Sequence, residues 1–393
     1  MQDYGFDRFE SRVPWNQTKW DPDVLEEKFG SSDVLPAWIA DMDFKTPPVV
    51  QAAVMEAARH GMYGYTGVGK DVIQSYLNWQ SRRNGWQGRE EWLRFTPGVV
   101  SAINLLLLSQ TDPGDEVLIQ RPVYYPFFHS IRQQERIVVN SPLVYRDGRY
   151  EIDFEDFARK AASPKCRAFI LCSPHNPVGR VFTAEELRRL GEICLENGVF
   201  VIADEIHSDL IFPGRRHTVF ASLSDAFAEN CAVCHAPSKT FNLAGLAFSC
   251  ISIPDAQRRE RFDAMAARYG QTRPTFFAPV AAKAAWDGGE DWLEACLRYI
   301  RGNYDYLTEF LAKTWSGRVS AVPLEGTYLA WVDFRQLEPD PEKLEQIMTR
   351  KAKVALDEGY IFGPEGNGFE RINLAAPRAV IEQILSRIAA AFQ

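Results

Sequence analysis

The chain has 393 residues, of which 46% are hydrophobic and 24% charged, and its formal net charge is −8. That length allows a large core and two domains, and the acidic balance argues against a nucleic-acid partner, which a basic surface would serve. No apolar run is long enough to span a bilayer, and "MQDYGFDRFESRVPW" lacks the basic start and apolar core of a signal peptide, so no membrane partner and a cytoplasmic location are expected.

The first 45 residues show little periodicity and are rich in Trp, Pro and Asp; they are expected to wrap against the rest of the chain. "GYTGVGKD" (64–71) nearly matches a phosphate-binding loop. However, Asp71 replaces the magnesium-binding hydroxyl, and the preceding "AAVMEAARHGMY" reads as a helix rather than a strand. "TPGVVSAINLLLLS" (96–109) ends a strand-like segment at Gly98 and opens a helix, whose free N–H groups suit an anion.

From there, apolar runs alternate with amphipathic stretches. "EVLIQ" (116–120), "RAFILC" (167–172), "VFVIAD" (199–204) and "CAVCH" (231–235) are short, apolar and bounded by turn residues, which predicts buried strands. "TAEELRRLGEICLENG" (183–198) reads as a helix with a capping box at Thr183 and Glu186 and a stop at Gly198. Strand–helix alternation predicts a mainly parallel sheet covered by helices. After about residue 285 the pattern changes to a long helix (287–314), a strand within "TYLAWVDF" (327–334), a helix over 341–358, a strand in "ERINLA" (370–375) and a final helix (378–392). The expected division is an N-terminal segment (1–45) packing with a small domain, a large domain (46–285) and the small C-terminal α/β domain (286–393).

Seven scattered cysteines suit buried free thiols. Cys231-x-x-Cys234-His235 matches a haem-attachment pattern. Residues three apart on a strand face opposite sides, Pro237 and Lys239 predict no helix for a redox site, and Cys250 and His217 supply no second pair for zinc. Two small core residues in a strand are the expectation, with no metal.

Open α/β sheets place ligands at strand ends. Asn176 lies in the turn "CSPHNPVGR" (172–180). Asp204 ends an apolar strand, where a carboxylate is costly unless paired or at a site; His207 follows, and Ser238-Lys239 lies after the next strand. An amine for a Schiff base, an acid for a pyridine nitrogen and a helix N-terminus for phosphate suggest a pyridoxal phosphate (PLP) site. A surface lysine and a helix-capping aspartate are the alternatives at this point.

The motifs "KWD" (19–21), "LPAWIADMDFKTPP" (35–48), "YGYTG" (63–67), "TPGVV" (96–100), "RPVYYPF" (121–127), "SPHNPVGRVF" (173–182), "ADEIHSDL" (203–210), "SKTFNLAGL" (238–246), "EGTYLAWVDF" (325–334) and "FERINLAAPR" (369–378) span almost the whole chain. In order and spacing it resembles the fold-type I PLP enzymes. Within them it is similar to the MalY/PatB group of cystathionine β-lyases, in the class I/II aminotransferase superfamily.

The resemblance implies a large domain with a mainly parallel seven-stranded sheet plus a smaller C-terminal α/β domain, and a homodimer with shared sites. It makes Lys239 the Schiff-base lysine and proton carrier, pairs Asp204 with the pyridine nitrogen, sets Asn176 on the ring 3′-oxygen and stacks Tyr124 on the ring. Val99 and Val100 backbone, Ser238, and Tyr65 from a second subunit would hold the phosphate, and Arg371 the substrate carboxylate. His207 stands where many aminotransferases carry a tyrosine. Ala247 replaces a phosphate-binding arginine, leaving neutral donors such as Thr240, and His235 replaces an expected Thr or Ser, to touch the phosphate or pack.

The implied reaction is β-elimination from L-cystathionine or related cysteine S-conjugates, giving a thiol, pyruvate and ammonia. The alternatives are a PLP-dependent aminotransferase and, less favoured, a PLP-fold regulatory binding protein.

Overall fold

A computed structural model describes residues 3–393. Seven strands form the main sheet: β1 (Leu93–Thr96), β2 (Glu116–Ile119), β3 (Ile137–Asn140), β4 (Cys166–Cys172), β5 (Phe200–Asp204), β6 (Cys231–His235) and β7 (Ser249–Ser252). Their order is β1-β7-β6-β5-β4-β2-β3. β7 runs antiparallel to both neighbours, and the other pairings are parallel. β4, β5 and β6 are buried almost throughout, because helices cover both faces. Non-consecutive neighbours bring the ends of β4, β5 and β6 side by side, and segments far apart in sequence meet there.

Cys231 and Val233 pack into the core on one face of this sheet, and Ala232 and Cys234 into the core on the other. The two cysteines of the haem-like pattern therefore diverge, as strand alternation requires. All seven cysteines are buried and unpaired.

A second sheet of β8 (Ser320–Ala321), β9 (Leu329–Asp333), β10 (Asp357–Glu358) and β11 (Phe369–Asn373) has the order β8-β9-β11-β10 and is antiparallel throughout. Helices Glu290–Trp315 and Arg378–Ala391 pack with it through a shared apolar core.

The helix over 183–198 forms as Ala184–Glu196, with the Thr183–Glu186 capping box complete. Two helical expectations are corrected. The segment expected as one helix over 287–314 is broken at its start: Phe277–Gly288 ends and Glu290–Trp315 begins on either side of Gly289. A Cβ at Gly289 would lie 2.5 Å from the Ala285 carbonyl oxygen and 2.7 Å from Phe241. The helix expected over 341–358 stops near residue 351, after Pro341–Gln346 and a π-helical turn Ile347–Lys351. Lys353 then takes φ +52°, and the buried run Val354–Leu356 leaves the helix. Val354 and Ala355 pair in parallel with Leu35 and Pro36.

That pairing ties the N-terminal segment beside the second sheet. "KWD" has a structural task there: Lys19 Nζ and Trp20 Nε1 donate to the Asp43 carboxylate at 2.7 and 2.8 Å, and Arg12 Nη1 joins them at 2.7 Å. Among the described residues, no helix is long and apolar enough to cross a membrane.

Candidate active site

The strand ends of the main sheet open onto a cavity of about 250 Å³, lined among others by Val99, Val100, Tyr124, Asn176, Asp204, His207, Ser238 and Lys239. Eight of the residues expected from sequence therefore meet in one place. A larger cleft of about 530 Å³ beside Arg83, Phe212 and Arg215 contains neither the lysine nor the strand-end acid.

Gly98 takes φ +95° immediately before the helix Val99–Gln110, a conformation that L side chains resist. The first N–H groups of that helix have no partner within it and face one wall of the cavity. Ser238 and Lys239 lie on one helical turn, Pro237–Thr240. This turn corrects the expectation of no helix there, because proline at the first helical position is already set for it.

Asp204 ends β5 at 5% exposure, and its Oδ1 accepts the Ile206 N–H at 3.1 Å. Burial raises its carboxyl to about 7; the Ile206 bond and the Lys239 charge oppose the rise, and Glu205 adds to it. Lys239 Nζ donates to the Ala40 carbonyl at 2.6 Å. Burial lowers the amine to about 8, with Asp41 and Asp204 pulling it back and Arg371 assisting the fall. His207 is buried, and its Nδ1 has no hydrogen-bond partner. Burial, followed by the Lys239 and Arg371 charges, holds it well below the usual imidazole range, so it is neutral.

Asn176 Oδ1 accepts from Arg371 Nη1 at 3.0 Å, and the Asn176 carbonyl accepts the Tyr124 N–H at 3.0 Å. Arg371 is 2% exposed; its Nη2 donates to the Trp38 carbonyl at 2.7 Å and to Asp357. It stands one residue behind the cavity wall, with its fork already partnered and its Nε without a bond.

Three of the named residues lie away from this chain's own cavity: Tyr65, which was expected to serve a second subunit, Thr240, and His235, which takes the packing alternative. Tyr65 is 94% exposed, with Arg273 4.8 Å from its ring, and does not line the cavity. Thr240 is no phosphate donor: it is fully buried and donates to Asp209 at 2.8 Å. His235 turns away from the cavity to Glu205, which also takes His217. Ala247 does line the cavity and brings no charge.

Sequence reasoning missed Ala40, Tyr328 and Asp357. Tyr328 Oη also donates to the Ala40 carbonyl, at 2.8 Å. Ala40 and Tyr328 lie inside quoted motifs and Asp357 in none, and a backbone carbonyl carries no residue-type signal.

The cavity suits PLP on its own evidence. It offers a buried acid without a cationic hydrogen-bond partner among the described residues, an amine tuned towards neutrality, and helical N–H groups at the far wall.

The family model for aminotransferase class I and II matches residues 39–388. The chain is 42% identical to cystathionine beta-lyase PatB of Bacillus subtilis (strain 168), over 98% of this chain and 99% of the other. Among solved structures, cystalysin from Treponema denticola, which contains a pyridoxal 5′-phosphate cofactor, superposes with a TM-score of 0.95 at 37% identity, covering 99% of both chains. The PLP-bound C–S lyase from Staphylococcus hominis does so with a TM-score of 0.91 at 33% identity, covering 100% of this chain and 98% of the other.

Proposed function

Since the chain belongs to the aminotransferase class I and II family, we propose that it is a PLP-dependent carbon–sulfur β-lyase of fold type I. It would cleave L-cystathionine or related cysteine S-conjugates to a thiol, pyruvate and ammonia. The observation that carries the reading is the meeting of Asp204 and Lys239 on one buried cavity with Val99, Val100, Asn176 and Ser238, where burial raises the acid and lowers the amine. The cystathionine β-lyase and C–S lyase relatives support the choice of reaction.

When bound, PLP would supply an aldehyde for the substrate amine and a ring able to hold the electrons of a broken Cα–H bond. Lys239 Nζ then accepts the Cα proton; an amine near 8 does this at neutral pH far more readily than a surface lysine. Asp204 would hold a proton on the ring nitrogen, and a cation there would offset the cost of its own buried charge. Asn176 presents Nδ2 to the 3′-oxygen, because Arg371 already occupies Oδ1. Tyr124, which lines the cavity, would cover one face of the ring. The N–H groups of Val99 and Val100, with Ser238, receive the phosphate through neutral donors. Arg371 takes the substrate α-carboxylate, with Asp357 holding the guanidinium in place.

Two copies would assemble, because Tyr65 lies in the segment between helices Pro48–His60 and Lys70–Asn84 and is free to serve a neighbour's phosphate. The division at about residues 45 and 285 belongs to the same reading, supported by β1–β7 falling between those points and β8–β11 beyond them. A cytoplasmic location is proposed from the seven buried, unpaired thiols.

PLP-loaded protein supplied with L-cystathionine should release pyruvate and a thiol in equal amounts. No pyruvate from L-cystathionine, L-cystine or S-alkyl cysteines refutes the lyase. Conversion of the cofactor to pyridoxamine phosphate by an amino acid alone, reversed by a keto acid, establishes the aminotransferase instead.

A further inference from the structure

Behind the sheet from the cavity, β5 and β6 carry a second polar cluster. Asp204 pairs in register with Cys234, so the next residues, Glu205 and His235, share the opposite face. Glu205 Oε2 lies 2.7 Å from His217 Nε2 and 3.1 Å from His235 Nε2, and Oε1 accepts the Phe220 N–H at 2.8 Å. His235 Nδ1, on the other side of the ring, lies 2.8 Å from the Tyr76 hydroxyl. All four side chains are buried.

Burial opposes the Glu205 charge, but the two histidines overcome it and hold the carboxyl down to about 2. The ligand atoms of Glu205, His217 and His235 lie within 4.8 Å of one another. One oxygen shared by two N–H donors accounts for that arrangement without an ion.

The cluster sits on both strands that serve the cavity. Glu205 follows Asp204 directly, and His235 precedes the Ser238-Lys239 turn. We propose that Glu205 is a positioning residue for the lyase reaction: its carboxylate, gripped by His217 and His235, fixes the strand end presenting Asp204 against the one presenting Lys239. It also sets a permanent negative charge behind Asp204. After burial itself, that charge is what raises the Asp204 carboxyl. That charge alone would draw a proton towards Asp204, so it is the placement of the carboxylate, held by the Glu205 grip, that would keep the proton on a ring nitrogen bound there.

The inference rests on the roles given above to Asp204 and Lys239. Borohydride reduction and peptide mapping of the wild-type holoenzyme separates the two: cofactor fixed anywhere but Lys239 overturns the site reading itself. With cofactor on Lys239, Glu205→Gln breaks the shared grip on His217 and His235 at constant size and lets Asp204 shift. The 15N resonance of the bound cofactor's ring nitrogen should move towards the unprotonated value. In parallel, kcat should fall about 10- to 100-fold, the scale of a slightly misplaced reacting group, with KM little changed. A wild-type ring-nitrogen signal and kcat in E205Q, with only the melting temperature lowered, overturns the proposal. If E205Q yields no folded holoenzyme, His235→Gln and His235→Ala decide. The glutamine keeps a donor towards Oε2 and should restore the signal that the alanine loses; identical signals in the two overturn the proposal.

Discussion

The Asp204 carboxyl makes the cofactor-free protein sensitive to pH in a calculable way. A carboxyl raised from 3.8 to about 7 on folding binds a proton in the folded chain that the unfolded chain has released. The stability this confers is complete below the unfolded value and is lost as pH rises through about 7. From about pH 5 to about pH 8 the loss is roughly 3 kcal/mol at 1.36 kcal/mol per pKa unit. At ~2.1 cal/mol/K of unfolding entropy per residue, that corresponds to about 3 °C in melting temperature for a chain of this length. Asp204→Asn cannot titrate and lacks this slope. Thermal melts of wild-type and D204N protein, both stripped of cofactor, should therefore diverge by about 3 °C between those pH values, with the variant gaining on the wild type as pH rises. Glu358, also raised to about 7 by burial, slopes both curves alike and cancels in the difference. Parallel curves would refute the reasoning, because the proton would then belong to another group. Restoring PLP to the wild type should flatten its curve, since a ring cation supplies the partner that burial denies.

A mixture of Lys239→Ala and Tyr65→Ala proteins, each inactive alone, should recover about a quarter of wild-type lyase activity through random pairing into mixed dimers; recovery of none argues against a shared site. Lys19→Met strips one buried cation from Asp43, which keeps Arg12 and Trp20 as partners, and chemical denaturation should report a loss of about 1–3 kcal/mol. Thr240→Val removes one donor from Asp209, which keeps Trp79 Nε1 at 3.1 Å. It should cost about 1–3 kcal/mol in stability while cofactor affinity stays unchanged, whereas a weaker hold on PLP would return Thr240 to the phosphate.

The sequence made the central strands legible because β4, β5 and β6 are buried on both faces and so read as unbroken apolar runs. Asp204 stood out for the same reason, as a charge at the end of such a run. Local patterning failed where long-range pairing overrode it. The stretch 354–355 looked like a continuing helix until Leu35 and Pro36 supplied its partner strand. The role of His235 was hidden because its partner, Glu205, is 30 residues away on a neighbouring strand. The partner of His217 is equally hidden, because the Glu205 carboxylate lies 12 residues before it. The Ala40 carbonyl could not be read at all, since every residue has one.

That carbonyl sits on a loop with a foot on each sheet. Asn242, three residues past Lys239, grips the loop from the main-sheet side through Met42 and Phe44, and Asn373 at the end of β11 grips it from the other through Ile39 and Asp41. Within the Asn373 grip, between Ile39 and Asp41, Ala40 O receives the lysine amine. The loop works as a feeler gauge: any change in the gap between the sheets is reported, within a few bonds, at the nitrogen that carries the proton.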